Sequence, residues 1–422
     1  MSTTTESTVT TPAAPVPPGR ATLSSAIRGY LARLGGGDVG SLPAVLGFAV
    51  LVVLFTVLRP DTFATKLNWA NLLNQSAAVI FIAMGLVFVL LLGEIDLSAG
   101  FAAGTCAAIL AVLMRDHGWP WPVAVAVVLA TGAVIGLLIG VLVAWLGIPS
   151  FVVTLSFFLA LQGVMLYIIG TGGTIGIADP TIRDIMSKSL SPATGWLVAG
   201  VVVTGYGLLL AVRHLRTRRA GLDPGSVLVP AAKATALAVM LGAGTYLLNL
   251  ERSINPQLKS LRGVPLIVPI TIGFVIALTL LLNRTRFGRH VYAVGGNAEA
   301  ARRAGINVAG IKVTCFIIGS TLAAVAGILL ASRDRSVSPS TGGAQTLLYA
   351  VGAAVIGGTS LFGGKGRVMD AILGGLVIAV IGNGLPLITQ KSEVQFIITG
   401  LVLLFAASVD AVSRRRAAAT GH

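Results

Sequence analysis

The sequence predicts an all-α polytopic membrane protein, and three observations carry that prediction. Hydrophobic residues fill 55% of 422 positions, charged residues only 11%, and the mean hydropathy is +0.90; a soluble domain would carry about a quarter charged residues. About twelve apolar segments recur along the chain, each near the roughly 17–25 residues a helix needs to cross a hydrocarbon core, so that about 10 to 12 true spans are expected. The Lys and Arg residues sit in short clusters between these segments. The net charge of +15 is therefore a topological signal and not a nucleic-acid footprint.

Residues 1–40 are rich in Ser, Thr, Ala, Pro and Gly and read as a disordered cytoplasmic tail. They lack the apolar region and small-residue cleavage pattern of a signal peptide. The apolar segments follow at 42–58, 76–92, 97–114, 123–146, 151–169, 193–212, 227–250, 264–282, 313–331, 347–361, 368–387 and 394–409. Residues 41–412 are read as one transmembrane domain, and 413–422 as a basic cytoplasmic tail. An even number of crossings puts both termini on one side. The clusters Arg213, Arg216, Arg218, Arg219, then Arg284, Arg286, Arg289, Arg302, Arg303, then Arg414, Arg415, Arg416 all fall on that same side, which the positive-inside rule makes the cytoplasm.

Cys106 and Cys315 lie in or beside apolar runs with no CxxC spacing, and read as small buried hydrophobes. His117, His214, His290 and His422 fall in loops or at the end of the chain and make no metal or nucleophile constellation. No metal, no cofactor in this chain and no enzymatic activity of its own are expected. Gly132, Gly136 and Gly140 recur at every fourth position, the signature of close helix packing in a bilayer.

One stretch is longer and more polar than a topology loop requires. Residues 283–312 read NRTRFGRHVYAVGGNAEAARRAGINVAGIK. Gly295-Gly296-Asn297 is a turn signal, and Asn297 can cap a short helix over 298–304 with Glu299 near its positive end. Gly305 and Asn307 are expected to stop that helix. It would present Arg302 and Arg303 as charged handles, with Ala300 and Ala301 small enough for a partner's groove to approach. The spacing Glu299-Ala300-Ala301, three residues, Gly305 resembles the loop by which permease subunits of bacterial ABC importers dock on their ATPase.

The wording from Arg286 to Leu330, with Gly93–Gly100 (GEIDLSAG) and Ala354–Gly366 (AVIGGTSLFGGKG), resembles the permeases of monosaccharide ABC importers, the ribose, arabinose and xylose group. One departure is visible: the general importer motif continues to an apolar residue and Leu-Pro, whereas here that position is Cys315 and no Pro follows. The resemblance implies two copies of the permease, an ATPase subunit that binds ATP, an extracytoplasmic sugar-binding protein and the bacterial inner membrane. The chain has no GxxxxGK[ST] phosphate loop, and Gly363-Gly364-Lys365-Gly366 reads as a turn. The extra pair of segments around 193–250 resembles xylose-type permeases, so D-xylose is the first expectation for the cargo.

Candidate pathway residues follow from what a sugar needs: hydroxyl-binding groups and flat apolar surfaces at membrane depth. Those chosen are Glu94, Asp96, Ser98, Asn74, Gln75, Gln162, Phe151 and Asn383. Intramembrane acids are functional by default. Asp96 can equally cap the next span, and the two roles are compatible. GGTSLFGG (357–364) aligns weakly with GEIDLSAG, suggesting a parallel internal repeat whose two turns face each other across a pathway. Two alternatives stand beside the sugar importer. A branched-chain amino-acid permease belongs to the same superfamily, and a proton-coupled secondary transporter could use Glu94 and Asp96.

Overall fold

A computed structural model describes residues 42–419 except 222–226, 254–256, 258 and 259, with 172, 405–407 and 409–419 described by backbone alone. The expected tail at 1–40 lies outside the described residues. Each of the twelve apolar segments is a helix. In chain order the α-helices, these twelve and four short ones, are α1 (Leu42–Leu58), the short α2 (Pro60–Phe63), α3 (Lys66–Leu91), α4 (Ala99–Arg115), α5 (Trp121–Ala144), α6 (Ser150–Ile169), α7 (Pro180–Ser187), α8 (Pro192–Arg219) and α9 (Leu228–Asn249). There follow α10 (Ile267–Arg284), α11 (Arg286–Gly296), α12 (Ala298–Arg303), α13 (Val308–Asp334), α14 (Gly343–Gly357), α15 (Val368–Ile388) and α16 (Ser392–Ala419). Eight of the described helices are long and apolar enough to cross a membrane: α3, α5, α6, α8, α9, α10, α13 and α15. The stretches at Leu42–Leu58, Ala99–Arg115, Gly343–Gly357 and Ser392–Leu404 are apolar but shorter. The backbone of α16 runs on through Ala419, so the segment expected as a basic tail is mostly helix.

Helices span because each backbone N–H and C=O must be bonded within the segment when no water is available. What ranks them is burial. In α3, α13 and α15 the most apolar stretch is 78%, 67% and 61% buried, against 11% in α8 and 6% in α9. The first three form the middle of the molecule, and the α8–α9 pair packs mainly on itself at the periphery. A smaller core gathers Phe55 of α1, Phe63 of α2 and Leu72 of α3 against Val380 and Leu385 of α15. Phe63 lies 5.4 Å from Phe55 and 5.9 Å from Trp69, ring centre to ring centre.

Small residues set the spacing. The α5 glycines all face α13. A Cβ on Gly132 would lie 2.7 Å from Ala324 Cβ and 2.8 Å from the Ser320 carbonyl, and one on Gly140 would lie 2.8 Å from Val313 Cα. Gly136 meets the Phe316 carbonyl more closely still. This is the close approach the four-residue glycine spacing predicts. Cys106 and Cys315 are buried thiols.

The connections are structured. After α6, Ile175–Gly176 (β1) pairs antiparallel with Ser336–Val337 (β2) that follows α13. The α7 helix is capped by Asp179, whose side chain accepts from the Ile182 N–H at 3.0 Å, and it hangs on α13 through Met186 N–H to Ser332 Oγ at 3.2 Å.

The glycine seam yields a direct test. Gly136→Leu should destabilise the detergent-purified protein by about 1–3 kcal/mol, the usual cost of overpacking. Gly163→Ala on α6, which meets nothing within 4 Å, should leave the thermal unfolding temperature unchanged or slightly raised, since alanine favours helix.

Candidate functional site

The polar stretch at 283–312 is two helices and not a loop with one. Thr285 caps α11, its hydroxyl accepting from the Gly288 N–H at 3.2 Å. Gly288, Val291 and Val294 are the buried face of α11, a three-residue spacing that with the Thr cap was a readable helix signal. The Tyr292 hydroxyl donates to the Gly366 carbonyl at 2.8 Å, and burial, with the Asp370 carboxylate nearby, pushes this phenol above its ordinary pKa. At the end of α11 the backbone of Gly295 lies against the Leu91 carbonyl and the Gly364 N–H, space that admits no side chain.

Asn297 caps α12, its Oδ1 accepting from the Ala300 N–H at 2.9 Å. Ala301 is buried against the body, so it offers no surface to a partner; Glu299, Ala300, Arg302 and Arg303 are exposed. Arg302 and Arg303 stay exposed, and both bond Glu299, at 3.1 and 3.3 Å. Gly305 ends the helix at φ +81°, a left-handed turn that glycine adopts without steric cost. Asn307 does not stop α12 but starts α13, accepting from the Gly310 N–H at 2.9 Å.

The GEIDLSAG and GGTSLFGG turns meet each other at this same end. Gly364 N–H donates to the Leu91 carbonyl at 2.9 Å, and Gly93 lies against the backbone of Phe362 and Gly363. The contact is backbone to backbone, with no pathway between the turns. Glu94 pairs with Lys312 in the first turn of α13, both largely buried. Asp96 is 1% exposed. Its Oδ1 accepts from the Ser98 N–H at 2.8 Å and the Ser98 hydroxyl at 2.6 Å, which orders the turn just before α4; the N-cap residue of α4 is Ser98, and no side chain caps the helix. The Asp96 Oδ2 is buried with no hydrogen-bond partner. The backbone of Ile95 is held by Ser150 and Thr154 of α6, at 3.2 Å each. Glu94, Asp96 and Ser98 thus lie at the α11–α12 end of the molecule.

At the opposite end lies a cavity of about 820 Å³ between α3, α13, α14 and α15. Along α3, Gln75 on its wall is roughly 24 Å from Leu91 by helical rise. Of the expected pathway residues, Asn74 and Gln75 line it. Asn383 sits behind the wall, its Nδ2 donating to Gln75 Oε1 at 3.2 Å while it exchanges two bonds with Asn68, at 2.8 and 3.0 Å. Gln162 and Phe151 are on α6, away from the cavity; Phe151 is 54% exposed. The sequence reading missed Gln345 and Tyr349 of α14, bonded at 2.8 Å, and the Ser338–Thr341 turn, all on the cavity wall. Gln345 and Tyr349, four apart near the start of an apolar helix, were the available signal. Among the described residues no group of three or more His, Cys, Asp or Glu could hold a metal ion.

Residues 68–407 match the family model described as branched-chain amino acid transport system / permease component. The xylose transport system permease protein of Escherichia coli (strain K12) is 34% identical over 373 residues, covering 88% of this chain and 92% of that protein. The xylose transport system permease protein of Haemophilus influenzae is 32% identical over 372 residues, covering 88% and 96%. The ribose import permease protein of the same organism is 31% identical over 369 residues, covering 86% and 91%. No solved structure gives a significant match. One match therefore runs from α3 into α16, through both the cavity and the α11–α12 end: this chain belongs to the branched-chain amino acid transport system permease-component family, and over most of its length it is similar to xylose and ribose permeases.

Proposed function

We propose that this chain is the permease subunit of a binding-protein-dependent ABC importer that carries a monosaccharide, D-xylose first, across the bacterial inner membrane. Two copies form the transport unit, a separate ATPase subunit binds ATP and docks on α11 and α12, and a sugar-binding protein delivers the cargo from outside. Both chain ends and the α11–α12 end face the cytoplasm in this reading.

The observation that carries it is the mechanical arrangement of α11 and α12. Both helices are capped by their own preceding residue, Thr285 and Asn297. They project Glu299, Ala300, Arg302 and Arg303, yet they are fastened to the rest of the molecule through Gly295 on Leu91 and Tyr292 on Gly366, beside the Lys312–Glu94 pair that ties α13 to the α3–α4 turn. A push on α12 would reach α3, α4 and α13 through short, directional contacts. The relatives support the cargo class: those at 31–34% identity are named as xylose and ribose permeases. The two xylose permeases, at 34% and 32%, favour xylose over ribose at 31%. A proton-coupled mechanism is less well supported, because Glu94 is committed to Lys312 and the relatives are named as permeases of xylose and ribose transport systems.

Reconstituted with its ATPase and binding protein, the wild type should accumulate D-xylose in proteoliposomes only when ATP is supplied. Uptake driven by a proton gradient without ATP would overturn the importer reading. On the docking face, Ala300→Trp should reduce copurification of the ATPase by about tenfold, equivalent to 1.4 kcal/mol, and leave thermal stability nearly unchanged as exposed substitutions do. Full recovery of the ATPase with that variant would place docking elsewhere. Glu94→Gln or Lys312→Met strands one largely buried charge, which costs about 1–3 kcal/mol. Each should uncouple ATP hydrolysis from sugar uptake, and the charge-exchanged pair Glu94→Lys with Lys312→Glu should restore part of the coupling. Single variants that transport like the wild type would remove this pair from the transmission path.

A further inference from the structure

We propose that the cavity between α3, α13, α14 and α15 is a chamber that receives one neutral monosaccharide, and that Asn74, Gln75, Gln345 and Tyr349 select it by its hydroxyls. This rests on the importer reading above and adds to it a place in this chain where the cargo is read. The volume of about 820 Å³ falls in the range of small-molecule sites, roughly 300–1,000 Å³, and holds a pentose with water around it.

The walls carry the chemistry of a polyol site. Asn74 Oδ1 is buried on the wall with no hydrogen-bond partner in the protein. A buried acceptor in that state is costly, and a turn of the Asn74 side chain would bring it to a sugar hydroxyl in the cavity. Gln75 is set from behind: its carbonyl accepts from Asn383, which the reciprocal bonds with Asn68 hold in place. With the carbonyl committed, the Gln75 NH₂ donors remain for a ligand. On the facing helix, Gln345 Nε2 donates to the Tyr349 hydroxyl at 2.8 Å. That bond leaves the Gln345 carbonyl as acceptor and the phenol hydrogen as donor. Vicinal hydroxyls of a sugar present the same mixture of donors and acceptors. Asn383 acts as a positioning residue for Gln75.

Charge argues against a cationic cargo, since the wall carries Arg333 and Arg335 beside Asp334. Asp334 is the one acidic residue among the described lining residues, and it is already bonded to Arg333, at 2.8 and 3.3 Å. The ammonium group of an amino acid would find no uncommitted carboxylate there, whereas a sugar needs none. Desolvating an unpaired charge is far more costly than desolvating a hydroxyl that finds a partner.

The test is uptake by the complete importer in proteoliposomes, with radiolabelled D-xylose and D-ribose supplied in competition. Asn74→Leu and Gln345→Leu should each lower D-xylose uptake by about tenfold, the loss expected when a hydroxyl-binding group is replaced by an apolar one of similar size. Asn383→Leu should change the D-xylose to D-ribose ratio by about threefold or more through Gln75, a readout that a merely structural loss would not move. If a leucine variant is not recovered from the membrane, Asn74→Ala and Gln345→Ala are read in the same way. A wild type that moves neither sugar with ATP removes the importer reading and the chamber together. A wild type that transports, beside Asn74 and Gln345 variants with unchanged rate and unchanged sugar ratio, removes the chamber alone.

Discussion

Close approach of α5 to α13 governs the rest of the architecture. Lipid tails are as apolar as leucine, so helices gain little by hiding apolar side chains from them, and association relies on van der Waals contact and interhelical hydrogen bonds. Gly132, Gly136 and Gly140 let the α13 backbone between Val313 and Ala324 lie directly against α5. With α13 held there, α3 packs on its other side, Gly85 meeting Gly319, and α15 packs on α3 in turn. The central position of α13 then fixes both ends of the molecule. Its first turn carries Lys312 to Glu94, and its last turns form one wall of the polar cavity.

The two ends are built in different ways. At the α11–α12 end a backbone-to-backbone seam runs through Gly295, Leu91, Gly93, Gly363 and Gly364, with Tyr292 and the Glu94–Lys312 pair beside it. Glycine is needed there because a Cβ would occupy the space of a neighbouring carbonyl. The cavity end is joined by side chains: the Asn68–Asn383–Gln75 amides, the Gln345–Tyr349 pair and the Ser338–Thr341 turn. Such groups can exchange partners for a ligand, whereas a backbone seam cannot. A stiff end and an adaptable end follow from the same central helix.

Much of this was legible in the chain, for reasons particular to each feature. The twelve apolar segments became twelve helices because crossing length and backbone satisfaction allow little else. Asn297 caps α12 as its spacing implies, since capping is a contact between residues three apart and needs no tertiary knowledge. The α5 glycine spacing was equally local. Other residues could be placed only by the fold. Glu94 and Asp96 looked like a pathway pair from composition, yet Lys312, 218 positions away, takes the first, and Ser98 takes the second. Arg302 and Arg303 are exposed as expected, and helical spacing sets both beside Glu299. The α11 helix was concealed by its glycines and arginines, which read as a loop unless the buried spacing of Gly288, Val291 and Val294 is followed.

By itself, then, the sequence determined the membrane class, the apolar helical segments, the Asn297 cap and the small-residue faces, because each depends on the bilayer or on residues within one or two turns. The tertiary structure alone decided which helices are central, which polar residues share a cavity, and which partner each buried charge takes. Hydropathy cannot make those choices, because a residue facing lipid and one facing a neighbouring helix are equally apolar. Only long-range contacts separate the buried α3 from the peripheral α9, or the cavity wall at Asn74 and Gln75 from the outer surface at Phe151.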